Sequence, residues 1–140
     1  MGFLSNILGF RDFSKREEIK RKIASLKIDE DVEAADSLIF FKTSKQQTWL
    51  IATNKNLYCV LDDIAKDTFE VRWSLLKREL IGENGSIALK ILLNPAYKEK
   101  SGRIDFGYKH IGWLYSKHLF SSSSELKERI KILIRNKMYR

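Results

Sequence analysis

Apolar and polar residues alternate through the middle of the chain, and this period of two predicts strands. The clearest example is the segment in which Phe69, Val71, Trp73 and Leu75 alternate with polar neighbours, as in a half-buried strand. Similar short segments, separated by turns rich in Asn, Gly, Asp and Lys, bring the predicted strands to seven. They are Leu38–Lys42, Thr48–Thr53, Leu57–Leu61, Phe69–Leu75, Ile87–Ile91, Ile104–Tyr108 and Ile111–Tyr115, with a basic loop at residues 96–102.

The apolar period becomes that of a helix near the start of the chain. Ser14 and Glu17 fit a capping box, so we expect the first helix to begin near Ser14 and to continue through Ile19 and Ile23. Residues 1–13 are expected to be a tail that lies on the surface of the domain. The alternative is a membrane or partner contact, because the large apolar residues of this tail could form a short amphipathic turn.

A second helix is expected at the other end of the chain. Ser122 and Glu125 repeat the capping box, and apolar residues from Leu126 to Met138 trace one face. Such a helix can cover the mouth of a small open barrel. The sequence therefore predicts a mainly β fold with helices: a seven-stranded antiparallel open barrel or orthogonal sandwich, preceded by an N-terminal helix and capped by one C-terminal amphipathic helix.

The composition fits one ordered domain. The chain has 140 residues, of which 44% are hydrophobic and 31% are charged. We expect residues 1–28 to form the tail and amphipathic helix, and residues 29–140 to form the barrel with its closing helix. No run of residues approaches the roughly 20 apolar positions of a membrane span, and no secretory signal is recognised. The expected location is cytoplasmic, with peripheral membrane association as the alternative.

Residues that carry chemistry in enzymes and metal sites occur here without their usual partners. Cys59 is the only cysteine, so the chain holds neither an internal disulfide nor a cysteine zinc cluster. His110 and His118 lack the spacing of a metal-binding pair, and no glycine-rich phosphate loop occurs. We therefore expect no enzymatic activity, no cofactor, no metal and no small-molecule substrate.

The segment Trp49–Tyr58 resembles a hairpin of a known family. Its residues, Trp-Leu-Ile-Ala-Thr-Asn-Lys-Asn-Leu-Tyr, are similar to the second strand, Thr-Asn/Asp-Lys turn and third strand of pleckstrin-homology-like (PH-like) domains, in particular the bacterial PH/GRAM-like branch. The acidic segment Asp29–Asp36 before the first strand also resembles that family. The resemblance covers about residues 30–138, and it implies a PH-like fold and a binding role.

The resemblance also implies that the first–second, third–fourth and sixth–seventh loops surround a ligand site. On this chain, the basic residues of those loops are Lys42, Lys45, Lys66, Lys109 and His110. The third–fourth loop also carries Asp62, Asp63 and Asp67, which would repel a phosphate-bearing ligand. The resemblance therefore supports the fold better than it supports phosphoinositide binding.

The net charge of +8 and the pI of about 9.6 permit an anionic partner. Lys127, Lys131 and Arg135 form a basic face on the C-terminal helix, and this face would merge with basic residues 15–27 if the two helices lie side by side. We expect the partner to be a protein or a second copy of the chain. The alternative is an anionic lipid surface, reached through Lys42 and Lys45, and nucleic acid is the least favoured partner.

Overall fold

The computed structural model describes residues 2–26, 32, 34–94, 98–114, 117–118 and 122–138. It describes the backbone alone for residues 2–10, 40, 94, 98–101, 113–114 and 117–118. These residues form three helices, α1 (Gly2–Leu26), α2 (Lys77–Leu80) and α3 (Ser123–Met138). Their strands are β1 (Asp36–Lys42), β2 (Gln46–Ala52), β3 (Asn56–Asp63), β4 (Thr68–Leu76), β5 (Leu89–Asn94), β6 (Lys98–Phe106), β7 (Lys109–Leu114) and β8 (Lys117–His118).

The strands form two antiparallel sheets. The first has the order β4-β3-β2-β1-β8 and the second has the order β5-β6-β7. Neighbours along the chain are neighbours in space within each sheet, apart from β8, which returns to pair with β1. The prediction of a mainly β fold with an N-terminal and a C-terminal helix is confirmed.

Some elements differ from the alternating pattern. The two-residue strand β8 and the one-turn helix α2 are too short to show a period, and the sequence predicted neither. The strand β6 begins at Lys98, so the predicted loop at 96–102 is wrong from Lys98 onward, where a polar segment pairs with β5 and β7. Tyr115, the predicted end of the seventh strand, and residues 29–31 and 33 of the acidic segment lie outside the described residues.

The five-stranded sheet separates two apolar cores. One face packs against α3 and the second sheet, and the other face packs against α1. In β2, Leu50 and Ala52 belong to the first core, whereas Trp49 and Ile51 belong to the second, and all four are fully buried. A strand covered on both faces needs apolar residues at consecutive positions, which explains why β2 lacks alternation.

A β-bulge decides which residues of β4 face which core. The pairing slips between Cys59 and Val60 of β3, so Phe69 and Val71 pack in the second core and Trp73 and Leu75 pack in the first. One extra residue moves every later side chain to the opposite face of a strand. The predicted alternation of burial in this strand is confirmed, and the bulge divides its apolar residues between the two cores.

The helix α1 begins at Gly2 and continues through Ser14 to Leu26 without a break. The predicted start near Ser14, with a tail before it, is wrong, because Ser14 is an exposed residue in the interior of the helix. Ile19 and Ile23 are fully buried in the second core. This packing against the sheet stabilises the helix beyond what its sequence propensity supplies.

The helix α3 begins where the capping pattern predicts, since the backbone N–H of Glu125 donates to Ser122 Oγ at 3.1 Å. Its buried residues are those of the predicted apolar face: Leu126, Ile130, Leu133, Ile134 and Met138. They pack in the first core, on the opposite side of the five-stranded sheet from α1. The two helices therefore do not lie side by side, and their basic residues do not form one stripe.

Candidate functional site

Three of the predicted ligand residues lie at one end of the five-stranded sheet, which we call the β3–β4 end. Lys42 ends β1, Lys45 lies in the β1–β2 turn and Lys66 lies in the β3–β4 turn. The two turns touch, because the Ile64 backbone N–H donates to the carbonyl oxygen of Lys45 at 2.8 Å. Lys45 and Lys66 are exposed, whereas Lys42 is half-buried with its Nζ 4.0 Å from Asp12 Oδ2.

A fully buried carboxylate lies beneath this end and is neutralised by α1. Arg11 Nη1 and Nη2 each donate to one oxygen of Asp62 at 2.7 Å, which is a bidentate pair. Gln47 Nε2 and Trp49 Nε1 donate to the same carboxylate at 2.9 and 3.2 Å. The Asp62 side chain has no solvent exposure, so these donors replace its lost hydration.

Two further acids of this end also have partners. Asp67 Oδ1 lies 3.1 Å from Arg11 Nη2 and 3.1 Å from Lys15 Nζ. Asp63 Oδ1 accepts the backbone N–H of Lys66 at 3.1 Å. The repulsion predicted from Asp62 and Asp67 is therefore largely cancelled, because Arg11 and Lys15 reach them from a helix about 50 residues earlier in the chain.

The charge states of the Arg11–Asp62 pair follow from these contacts. Burial alone would raise the pKa of Asp62, but the hydrogen bonds from Arg11, Gln47 and Trp49 outweigh burial and hold this pKa below its ordinary value. The hydrogen bond to Asp62 raises the pKa of Arg11. Both groups stay charged at neutral pH, and the pair fastens α1 to the sheet.

The structure does not bring Lys109 and His110 to the β3–β4 end. The nine-residue strand β4 spans about 26 Å, and α2 follows at its far end. The β6–β7 turn that precedes Lys109 packs on α2. A Cβ atom at Gly107 would lie 2.9 Å from the carbonyl oxygen of Glu79, and the Tyr108 hydroxyl donates a hydrogen bond to the Glu79 carboxylate. The five predicted ligand residues are therefore divided between two distant sites.

A groove of about 600 Å³ opens at this far end, which we call the β2–β3 end. It forms where the β2–β3 turn meets α2, because the Lys77 backbone N–H donates to the carbonyl oxygen of Lys55 at 2.9 Å. The groove is lined by Asn54, Lys55, Leu76, Lys77, Arg78, Ile81 and Gly82. Leu76 is 36% exposed, so an apolar surface lies between the basic side chains.

The β2–β3 turn is held in place by a buried hydroxyl. Thr53 Oγ1 accepts the backbone N–H groups of Lys55 and Asn56 at 3.2 and 3.0 Å, and the Thr53 N–H donates to the carbonyl oxygen of Asn56 at 3.0 Å. Asn54 and Lys55 are exposed at the tip. The segment that carries the family resemblance thus also forms one rim of the groove.

The groove is lined by positively charged side chains. Lys55, Lys77 and Arg78 line it, and the described residues of the lining include no acid. Glu79 of α2 lies outside this lining, and its carboxylate accepts the hydroxyl of Tyr108 and, at 2.9 Å, the backbone N–H of Leu76 at the end of β4. It also interacts electrostatically with Arg78. These hydrogen bonds lower the pKa of Glu79, with the Tyr108 bond having the larger effect.

The basic face predicted on α3 is a separate surface. Lys127, Lys131 and Arg135 follow one another at four-residue spacing, as residues on one side of a helix do. Arg135 is exposed and lies 3.8 Å from Glu128, so part of this charge is compensated within the helix. The β-sheet separates this face from the cations of α1.

The remaining candidates for chemistry are isolated. Cys59 is buried, and burial raises the pKa of its thiol to about 12, so it stays protonated at neutral pH. His110 is exposed, and the side chain of His118 lies outside the described residues. Within the described ranges, no three His, Cys, Asp or Glu side chains are grouped to hold a metal ion. None of the described helices combines the length and the apolar character needed to cross a bilayer.

The chain matches no family model, no curated protein and no solved structure. Its candidate site therefore has to be recognised from its own residues. Sequence reasoning missed the groove because Lys55, Lys77 and Arg78 meet only once β4 has returned beside β3. The signal present in the sequence is modest: a basic pair directly after a strong strand, and a lysine at the tip of a tight turn.

Proposed function

We propose that this chain is a non-enzymatic, PH-like binding module whose groove at the β2–β3 end binds an acidic segment of a partner protein. The observation that carries the proposal is the set of three cations around an apolar surface, with no acid in the described lining. Leu76 and Ile81 suit apolar side chains of the partner, and the cations suit its carboxylates.

The order of elements supports the PH-like part of the proposal. The strands β1 to β4 are successive neighbours in one sheet, β5 to β7 form a second sheet, and α3 closes the chain in contact with β1, β2 and β5. The resemblance of Trp49–Tyr58 to the family hairpin supports the same part of the proposal independently of the structure. The helix α1 on the outer face of the first sheet is an addition to that order.

The chemistry of the groove favours a peptide segment over nucleic acid. Single-stranded nucleic acids are bound by aromatic side chains that stack on bases beside a basic track. The described lining of this groove is aliphatic and basic, without an aromatic residue. A protein segment with alternating acidic and aliphatic residues complements both features.

The test is a fluorescence anisotropy titration with a short labelled peptide of alternating Glu and Leu. A peptide with Lys in place of Glu serves as the ligand control. The groove variant is Lys55→Gln/Lys77→Gln/Arg78→Gln. The matched control is Lys127→Gln/Lys131→Gln/Arg135→Gln, which removes the same charge from α3. Circular dichroism and urea midpoints show whether each variant is folded.

We expect the wild type and the α3 variant to bind the acidic peptide, with affinity falling as salt rises, and the groove variant to bind at least about tenfold more weakly. Equal binding by the groove variant and the wild type would contradict the proposal, and so would equal binding of the basic peptide. Light scattering distinguishes a second copy of the chain from a different protein as the partner. A mass above 16.4 kDa that returns to 16.4 kDa in the groove variant would make a second copy the partner.

A further inference from the structure

The first turns of α1 extend beyond the sheet on which the rest of the helix lies. Arg11 and Lys15 both reach Asp67 in the β3–β4 turn, which is the last feature of the sheet at that end. Ile19 and Ile23 lie further back, over the centre of the sheet. The helix continues from Arg11 to Gly2, so residues 2–10 add about 14 Å of helix beyond the residues that contact Asp67.

The sequence of this extension is amphipathic. At about 100° per residue, its large apolar residues fall within an arc of about 160° on the helical wheel. They are Phe3, Leu4, Ile7, Leu8 and Phe10. The other arc holds Gly2, Ser5, Asn6 and Gly9, and none of residues 1–10 is charged.

Part of the apolar arc of the extension lies on a different side of α1 from the residues that pack on the sheet. At 100° per residue, the positions of Phe3, Ile7 and Phe10 are rotated by about 140–180° from the mean direction of Ile19 and Ile23. The position of Leu8, in contrast, falls between those of Lys15 and Ile19. The positions of Phe3, Ile7 and Phe10 therefore form an apolar side of the helix that is separate from the side packed in the second core.

The surface beside the extension carries two exposed lysines. Lys45 and Lys66 are exposed at the β3–β4 end, next to the point where α1 leaves the sheet. The nearest carboxylates are occupied: Asp62 by Arg11 and its other donors, and Asp67 by Arg11 and Lys15. An approaching anionic surface thus meets two exposed lysines, together with Asp63, whose Oδ1 accepts the Lys66 backbone N–H.

We propose that residues 2–10 of α1 form an interfacial anchor that lies in the surface of an anionic lipid bilayer, with Lys45 and Lys66 contacting the headgroups. An uncharged amphipathic helix supplies apolar area, and flanking lysines supply electrostatic attraction, which together are the two requirements of such anchors. The anchor lies at the opposite end of the five-stranded sheet from the groove, so a membrane-bound chain still presents the groove to a partner.

The test is sedimentation of the full chain with vesicles of phosphatidylcholine alone and of phosphatidylcholine with phosphatidylglycerol. The apolar variant is Leu4→Ser/Ile7→Ser, and its control is Leu93→Ser/Ile132→Ser, which removes exposed apolar residues elsewhere. The charge variant is Lys45→Gln/Lys66→Gln, and its control is Lys55→Gln/Lys77→Gln. These controls also separate the anchor from the groove, because only the second charge pair belongs to the groove.

We expect partition onto the anionic vesicles only. The charge variant should lose about fivefold in partition for each lysine removed, and the apolar variant on the order of a hundredfold. Both control variants should partition like the wild type. Absence of partition in the wild type would overturn the proposal, and so would partition that survives in the apolar variant or is lost in the groove control.

A second measurement locates the inserted segment. Ile7→Cys is labelled with an environment-sensitive dye, while the buried Cys59 stays unreactive in the folded chain. We expect the emission to shift to shorter wavelength when anionic vesicles are added. Sedimentation without this shift would show that another surface contacts the lipid, which would overturn the proposal.

Discussion

Replacing Arg11 by alanine removes the guanidinium that neutralises the buried Asp62 carboxylate. Two hydrogen bonds of 2.7 Å are lost, and Asp62 keeps only the neutral donors Gln47 and Trp49. Breaking a buried pair by removing one partner costs about 3–5 kcal/mol. Because the Arg11 side chain is 31% exposed, we expect the lower end, about 3 kcal/mol of unfolding free energy.

Urea unfolding followed by tryptophan fluorescence measures this loss, and Trp49 reports on the site because its Nε1 contacts Asp62. The matched control is Arg103→Ala. Arg103 pairs with Asp105 at 2.8 Å, but its side chain is 51% exposed, so its removal should cost less than about 1 kcal/mol. Equal losses in the two variants would refute the claim that the Arg11–Asp62 pair fastens α1 to the sheet.

A double-mutant cycle separates the pair from general effects of the substitution. Arg11→Ala/Asp62→Asn removes both charges, so it leaves no unpaired buried carboxylate. We expect the double variant to be less destabilised than the sum of the two single variants, with a coupling energy of about 1–3 kcal/mol. Additive losses would show that the two side chains stabilise the fold independently.

Three other outcomes follow from particular residues. In urea unfolding, Gly107→Ala should lower the free energy of unfolding by more than Gly85→Ala. Both glycines have positive φ, but only at Gly107 would the new Cβ lie 2.9 Å from the carbonyl oxygen of Glu79. Equal losses of unfolding free energy would contradict the packing of this turn on α2. At mildly alkaline pH, Cys59 should react with a disulfide reagent on the order of 10³ times more slowly in the folded than in the unfolded chain, because burial raises its pKa to about 12. Equally fast reaction of the folded chain would contradict the burial of this thiol. Since the pKa of Asp62 is lowered by folding, its contribution to stability is present above the ordinary value of 3.8 and lost as pH falls through the lower folded value. Urea midpoints should therefore fall less steeply between about pH 5 and pH 2 in Asp62→Asn than in the wild type, and parallel curves would contradict the assignment.

The elements of this fold that sequence predicts are those with a local signal. The alternation at Ile104 and Phe106 marks a strand because one face of β6 is buried. The Ser122 cap marks the start of α3 because its hydroxyl satisfies a backbone N–H three residues later. Both depend on neighbours within a few positions, which is the distance over which a sequence pattern can be read.

The features that the sequence did not reveal depend on distant partners. The bulge opposite Cys59 and Val60 is set by the way β3 and β4 pair, so the alternation in β4 indicated the strand but not that its apolar residues face two cores. The helix α1 begins twelve positions before the predicted Ser14, and an exposed serine inside a helix looks like a cap when the docking surface is unknown.

The charge of the candidate site also depends on residues that are distant in sequence. The sequence predicted an unfavourable acidic loop, because Arg11 and Lys15 are about 50 residues from Asp62 and Asp67. It also grouped Lys109 with the β3–β4 end, whereas the β6–β7 turn packs on α2. Electrostatic character is a property of the assembled surface, and a count of charges within one loop does not determine it.

The location of the binding surface can be read directly by titrating the ¹⁵N-labelled chain with the acidic Glu–Leu peptide and following its amide signals. The groove predicts that the signals of Lys55 and of residues 76–82 shift together and saturate at one peptide concentration. Signals of Lys45, Lys66 and α3 should stay in place. Shifts confined to Lys45 and Lys66, or to the basic face of α3, would contradict the assignment of the β2–β3 end as the site where this module binds its partner.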